Sequence, residues 1–235
     1  MALPYFYIND LSNSIITLDE NTSKHIIQVL RMKNEEILML TDGKGSVAKA
    51  VIVNDNRKRC EVKVQSIQKA EERKPKITIA VSLLKNASRF EWFLEKATEI
   101  GVSKIIPLLC ERTEIEKFRS DRLNGILISA MLQSQQSWLP QLHEPMEYKK
   151  VLEVESEKRF IAHCLEEERK SLSKELIAIN SSNSQIILIG PEGDFTPKEI
   201  NDAIQKGFVP VTLGKTRLRT ETAAMAAAVL MCNLS

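Results

Sequence analysis

The chain has 235 residues, 43% of them apolar, enough for one large or two small packed domains. Its 33 basic residues stand against 31 acidic ones, a net charge of +2 that excludes a strongly basic, non-specific nucleic-acid binder. There is no run of eighteen apolar residues, and the start, Met1-Ala2-Leu3-Pro4-Tyr5, lacks the basic and apolar regions of a secretion signal, so a cytoplasmic protein without membrane attachment is expected.

Residues 1–74 read mainly as short strands. Ile15–Leu18, Glu36–Leu40, Ser46–Val53 and Glu61–Ile67 are rich in β-branched residues, and the last alternates apolar with polar. Asp42-Gly43-Lys44-Gly45 suits a hairpin, because glycine reaches positive φ without strain. One short helix is predicted from about Ser23 to Met32, with Ile26, Ile27 and Leu30 on its apolar face. These elements predict a small β-barrel. Arg57-Lys58-Arg59 and Arg73-Lys74 with Lys76 could touch phosphates, although short basic runs are more often solvated turns.

From Lys76 onward, strands and helices alternate. Ile77–Val81 reads as a buried strand, and Ser88-Arg89-Phe90-Glu91 as a capping box opening a helix that Gly101 ends. Strand Lys104–Leu108, a helix near 119–136 and strand Phe160–His163 follow. Alternation of this kind predicts a mostly parallel sheet covered by helices on both faces. Cys60, Cys110, Cys164 and Cys232 lie at least 50 positions apart, a spacing of neither a metal clip nor a compact disulfide framework. They are expected to be reduced and mostly buried. His25, His143 and His163 are equally scattered, and no metal is expected.

Two strand-loop-helix units near the C-terminus carry the most information. Strand Gln185–Ile189 runs into Gly190-Pro191-Glu192-Gly193-Asp194-Phe195, after which Thr196 with Pro197 and Glu199 opens a helix. Strand Phe208–Leu213 runs into Gly214-Lys215-Thr216-Arg217-Leu218-Arg219 ahead of a helix from Thr220 to Leu234. Both loops leave the carboxyl ends of strands, where open α/β sheets bind ligands. Any one of these glycines could merely shape a turn. Two such loops in succession, with Arg217 and Arg219 on the second, point to function. Neither a Walker A phosphate loop nor a Rossmann glycine fingerprint is present.

The stretches Ile189–Phe195 and Leu213–Ala224 closely resemble motifs of the bacterial 16S ribosomal RNA uridine-N3 methyltransferases, a family of the SPOUT class. Glu91–Val102, Ile105–Leu108, Gln133-Ser134 and His25–Met32 are similar to that family as well, so the resemblance spans nearly the whole chain. It implies a PUA-like RNA-binding β-barrel over 1–74 and, over 75–235, a SPOUT methyltransferase domain with a C-terminal trefoil knot. It further implies S-adenosylmethionine held by the two glycine loops, and a homodimer acting on a decoding-region uridine of 16S rRNA within the small ribosomal subunit. The residues carried over to the methyl donor are Ile189, Gly190, Pro191, Glu192, Gly193, Leu213, Gly214, Leu218 and Arg219. Those carried over to RNA are Arg31, Lys85, Arg89 and Arg217.

Methylation at N3 requires a proton to leave that nitrogen. Arg219 is the expected stabiliser of the uracil anion, and Glu221 a candidate proton acceptor whose alternative is a carboxylate complementing the helix macrodipole. Trp92 and Trp138 have the chemistry to stack bases, but core or interface burial is the commoner fate of tryptophan. The chain departs from the family pattern at Asp194, where a second glycine is usual, at Asn86-Ala87 and at Gln136. Two other functions fit the same residues: methylation of a ribose 2′-oxygen on another RNA, and a non-catalytic RNA-binding or ribosome assembly factor.

Overall fold

The computed structural model describes residues 3–114, 118–165, 169–179 and 182–234. The chain divides into two compact units, Met1–Glu72 with Met131–Leu139, and Arg73–Ala130 with Pro140–Ser235.

In the first unit β1 (Tyr5–Tyr7), β2 (Ile15–Thr17), β3 (Ile37–Thr41), β4 (Ser46–Asn54) and β5 (Glu61–Lys69) form one sheet in the order β1-β3-β4-β5-β2. β1 runs parallel to β3, and the other pairs are antiparallel. Register shifts at Lys49/Ala50 and Ile52/Asn54 bulge β4 against β5, and bulges bend a strand. The sheet curls around Phe6, Leu18, Ile26, Leu38, Leu40, Ile52 and Val62. Asp42 makes the β3–β4 turn by accepting the N–H groups of Lys44 and Ser46 on Oδ1, with Gly43 and Gly45 at φ of +67° and +90°. A Cβ on Gly45 would lie 2.3 Å from the Trp138 ring. Trp138 packs on this turn and donates its indole N–H to the Glu71 carbonyl.

The helix of this unit starts earlier than the predicted Ser23. Asp19 caps α1 (Glu20–Lys24), accepting the N–H groups of Asn21 and Thr22, and a π-helical turn, His25–Val29, follows. Ser23 lies inside α1, where its buried hydroxyl bonds the Leu18 carbonyl and receives the Cys60 N–H.

The second unit holds β6 (Lys76–Ser82), α2 (Ala87–Ile100), β7 (Lys104–Leu109), α3 (Ser120–Gln133), β8 (Gln141–Leu142), β9 (Met146–Glu147) and α4 (Tyr148–Val151). β10 (Lys158–Ala162), β11 (Lys170–Ser171), α5 (Leu172–Ile177), β12 (Ser184–Ile189), α6 (Pro197–Gln205), β13 (Val209–Thr212) and α7 (Thr220–Leu234) complete it. The last residues of α3, from Met131, group with the first unit. The strands order as β11-β13-β10-β12-β6-β7-β8, with β9 also on β7, and every pair among the described residues is parallel. Parallel strands buried on both faces read as continuous apolar runs, as in the Ile-Ile-Leu-Ile of β12. One face packs Ala80, Ile106, Ile161, Ile186 and Leu188 against Tyr148 and Val151 of α4 and Ile200 and Ala203 of α6. Side chains alternate along a strand, so Ile79, Ile105 and Ile187 turn to the opposite face, where α7 packs on β6, β12, α2 and α5.

Two expectations need correction. The N-cap of α2 is Asn86, whose side chain accepts the Ser88 N–H, so Ser88 lies inside the helix and no Ser88–Glu91 capping box forms. Glu91 instead takes a two-pronged bond from Arg122. Nor are the thiols mostly buried: Cys60 is, Cys110 and Cys232 are partly covered, and Cys164 is exposed. Among the described residues, no helix is long and apolar enough to cross a membrane, and no group of His, Cys, Asp and Glu is placed to hold a metal.

Candidate active site

The carboxyl ends of β10, β12 and β13 surround a cavity of about 570 Å³, within the range of roughly 300–1,000 Å³ usual for small-molecule sites. The floor is the end of β12: Ile189, Gly190, Pro191 and Glu192. One wall is the second glycine loop, Leu213 to Arg219, with Thr220 and Ala223 of α7, and the other is Ala162, His163, Cys164 and Arg169.

The loop after β12 is tied on every side. Gly190 packs closely on Phe195: a Cβ there would stand 3.1 Å from the Phe195 ring and 3.2 Å from its backbone nitrogen, so a side chain would require the ring to shift by a few tenths of an ångström. Phe195 is fully buried against Tyr148, ring centroids 5.7 Å apart. Burial pushes the Tyr148 hydroxyl well above its ordinary pKa, so it stays a donor, and it bonds the Glu199 carbonyl. Thr196 and Glu199 form the predicted capping box of α6, with Pro197 opening the helix. The other carboxylate oxygen of Glu199 accepts the Glu111 N–H at 2.9 Å. Arg112 donates to the Gly193 carbonyl at 2.7 Å. On the far side Thr220 donates its hydroxyl to the Gly190 carbonyl, joining α7 to the floor.

The second loop is looser. Gly214, at φ +153°, accepts the Thr212 hydroxyl on its carbonyl at 2.8 Å, and a Cβ there would meet nothing within 4 Å. Lys215, Thr216, Arg217 and Arg219 are exposed, and Leu218 is half-buried. Backbone N–H and C=O groups interleave with apolar Ile189, Leu213 and Leu218, and three cations rim the opening. Such a lining can take a flat heterocycle by its polar edge and apolar face and can attract a polyanion outside.

Of the expected donor-site residues, Ile189, Gly190, Pro191, Glu192, Leu213, Gly214, Leu218 and Arg219 line this cavity, together with Arg217. Gly193 does not: a Cβ on it would meet the Arg112 side chain at 3.3 Å. Glu221 is also outside the lining. It is buried and faces Arg89 of α2, Nε to Oε1 3.5 Å, while its Oε2 has no hydrogen-bond partner among the described residues. Lys85 forms an exposed ion pair with Glu114 at 2.9 Å. Arg31, in the first unit, is exposed and has φ +57°. The sequence reading missed His163, Cys164 and Arg169. They follow a strand of the same parallel sheet, but only the strand order sets that strand between β12 and β13 and so beside the cavity.

A family model for the RNA methyltransferase domain matches residues 70–232, and one for the RNA methyltransferase PUA domain matches 18–65. The ribosomal RNA small subunit methyltransferase E of Mesomycoplasma hyopneumoniae is 32% identical, over 94% of this chain and 95% of its own length. A probable rRNA-methyltransferase from Porphyromonas gingivalis superposes with TM-score 0.92 at 38% identity, covering 99% of this chain and 98% of that one. The ribosomal RNA small subunit methyltransferase E of Neisseria gonorrhoeae, solved bound to S-adenosyl methionine, gives TM-score 0.86 at 30% identity over 98% of this chain and 97% of its own. With one model spanning the cavity-bearing unit and full-length relatives of this similarity, the chain belongs to the ribosomal RNA small subunit methyltransferase E family.

Proposed function

We propose that the chain binds S-adenosylmethionine between its two glycine loops and moves the methyl group to N3 of a uridine in 16S rRNA of the small ribosomal subunit. The observation that carries this is the cavity itself, a main-chain-rich pocket at the carboxyl edge of β10, β12 and β13 whose open rim bears Lys215, Arg217 and Arg219. The residues fit the donor: a volume of about 570 Å³ admits a nucleoside with an amino-acid arm.

When bound, S-adenosylmethionine supplies an electron-poor methyl carbon on a sulfonium. The floor at 190–192 and the wall at 213–218 would hold the donor. Positioning the two reactants contributes about 7–11 kcal/mol in favourable cases. Arg219, on the rim, favours the uracil anion once the N3 proton passes to solvent at the exposed mouth. Glu221, turned toward Arg89, steadies that arginine instead of taking the proton. Arg31, Lys85, Arg89 and Arg217 contribute to holding the RNA.

The working unit in this reading is a cytoplasmic homodimer. Trp92 of α2 and Val229 of α7, 44% and 40% exposed on two helices that pack together, offer an apolar face to a second copy. The last crossing, from β13 past β10 and β12 to α7, is the segment we assign to a trefoil knot, supported by α7 returning to pack on β6 and β12.

The test is methylation of small ribosomal subunits from a strain lacking this activity, followed by nuclease digestion and mass mapping. One methyl on a uracil N3 supports the reading. A methyl on ribose would replace it with the 2′-oxygen alternative, and an absence of donor binding by calorimetry would leave only an assembly factor.

A further inference from the structure

Asp194, in the loop after β12, takes φ +62°, the left-handed region that few residues other than glycine enter. Three hydrogen bonds hold it there. The Asp194 N–H donates to the Pro191 carbonyl at 2.9 Å, closing a tight turn. Its carboxylate accepts the Phe195 N–H on Oδ1 at 2.8 Å and the Cys164 N–H on Oδ2 at 2.7 Å. Cys164 belongs to the loop leaving β10, thirty positions away in sequence, and both residues line the cavity.

We infer that Asp194 is a positioning residue for the methyl donor, its carboxylate fastening the β10 loop to the β12 loop and so fixing the width of the cavity between them. A glycine would reach the same φ with less strain but could not make either side-chain bond. The Arg169 guanidinium also donates to the His163 carbonyl in the same loop. Both oxygens of the carboxylate point at backbone N–H groups, so the charge is spent on alignment, and the two donors are short as expected for bonds to an ionised acceptor. This inference rests on the donor-binding reading above.

The test uses the full chain with Asp194→Gly, Asp194→Asn and Asp194→Ala, measuring S-adenosylmethionine binding by calorimetry, steady-state methylation and thermal unfolding. Asp194→Gly is expected to bind the donor about tenfold more weakly, the loss of roughly one charge-assisted hydrogen bond. The loss falls on KM for the donor, with kcat at saturating donor within about twofold, while the melting temperature holds because glycine relieves the backbone strain. Asp194→Asn, which keeps one acceptor and tolerates the left-handed region, is expected to recover part of the affinity, and Asp194→Ala none. Donor affinity in Asp194→Gly within twofold of the parent overturns the inference, as does an affinity loss that Asn fails to recover. A parent chain that binds no donor at all defeats the function proposed above, a distinguishable result.

Discussion

The hydroxyl of Thr220 donates to the carbonyl of Gly190 across thirty residues, at 3.0 Å and out of contact with water. This bond joins the first turn of α7 to the floor of the donor cavity. Thr220→Val keeps the shape and strands the carbonyl, which costs about 1–3 kcal/mol and lowers the melting temperature by about 3–8 °C. Donor affinity falls with it, and Thr220→Ser restores both. Scanning calorimetry with and without S-adenosylmethionine reads the two effects together.

Arg219 tests the chemistry. Arg219→Ala is expected to lower kcat by about 10²–10³-fold, the size seen when a preorganised charge-stabilising group is removed. Donor binding by calorimetry stays within a few-fold, because Arg219 is an exposed residue of the rim while the floor and both walls remain in place. Arg219→Lys keeps the charge without the planar fork and recovers part of the rate. Full methylation of small subunits by Arg219→Ala removes this residue from the mechanism.

Cysteine labelling reads the cavity without any RNA. Cys164 is exposed on its wall, whereas burial pushes the Cys60 thiol up to about 11 and raises those of Cys110 and Cys232 as well. Iodoacetamide at pH 8 is expected to modify Cys164 first, as peptide mass analysis would show. S-adenosylmethionine at about ten times its dissociation constant slows that labelling about tenfold. Labelling that ignores the donor would place the ligand elsewhere.

The Glu91–Arg122 pair gives a pH signature. The hydrogen bond from Arg122 holds the Glu91 carboxyl below its ordinary value of 4.5, against the opposing effect of burial. A folded pKa below the unfolded one contributes stability that is complete above 4.5 and is lost as the pH falls through the lowered value. Glu91→Gln is therefore expected to melt about 1–3 °C lower at pH 7, a modest effect because the pair is solvated. The difference shrinks toward zero on acidification, followed by circular dichroism melts across that range.

What could be read in the sequence was what local chemistry encodes. The Thr196-Pro197-Glu199 opening of α6, the turn at Asp42–Gly45 and the two glycine loops are all marked by residues whose conformational preferences act within a few positions. What could not be read depends on strand order. β10 lies between β12 and β13, and only that arrangement brings His163, Cys164 and Arg169 to the cavity. Glu221 lies outside the lining for a helical reason: successive residues turn by about 100°, so Thr220 and Ala223 face the cavity while Glu221 swings toward Arg89. Gly193 escaped because its neighbour, Arg112, arrives from a loop eighty-one positions earlier. Asn86 and Ser88 are both good helix caps, and residue type alone does not choose between them.

β12 is hydrogen-bonded along its length to β10 on one side and β6 on the other. Amides so enclosed exchange with solvent only when the whole unit opens, whereas exposed Lys215, Thr216 and Arg217 sit on a segment free to open alone. Hydrogen exchange should accordingly be slowest at 186–189 and fast at 215–217. A stiff base under a yielding lip lets one pocket keep a single geometry for a small ligand while its edge conforms to a large, irregular polyanion.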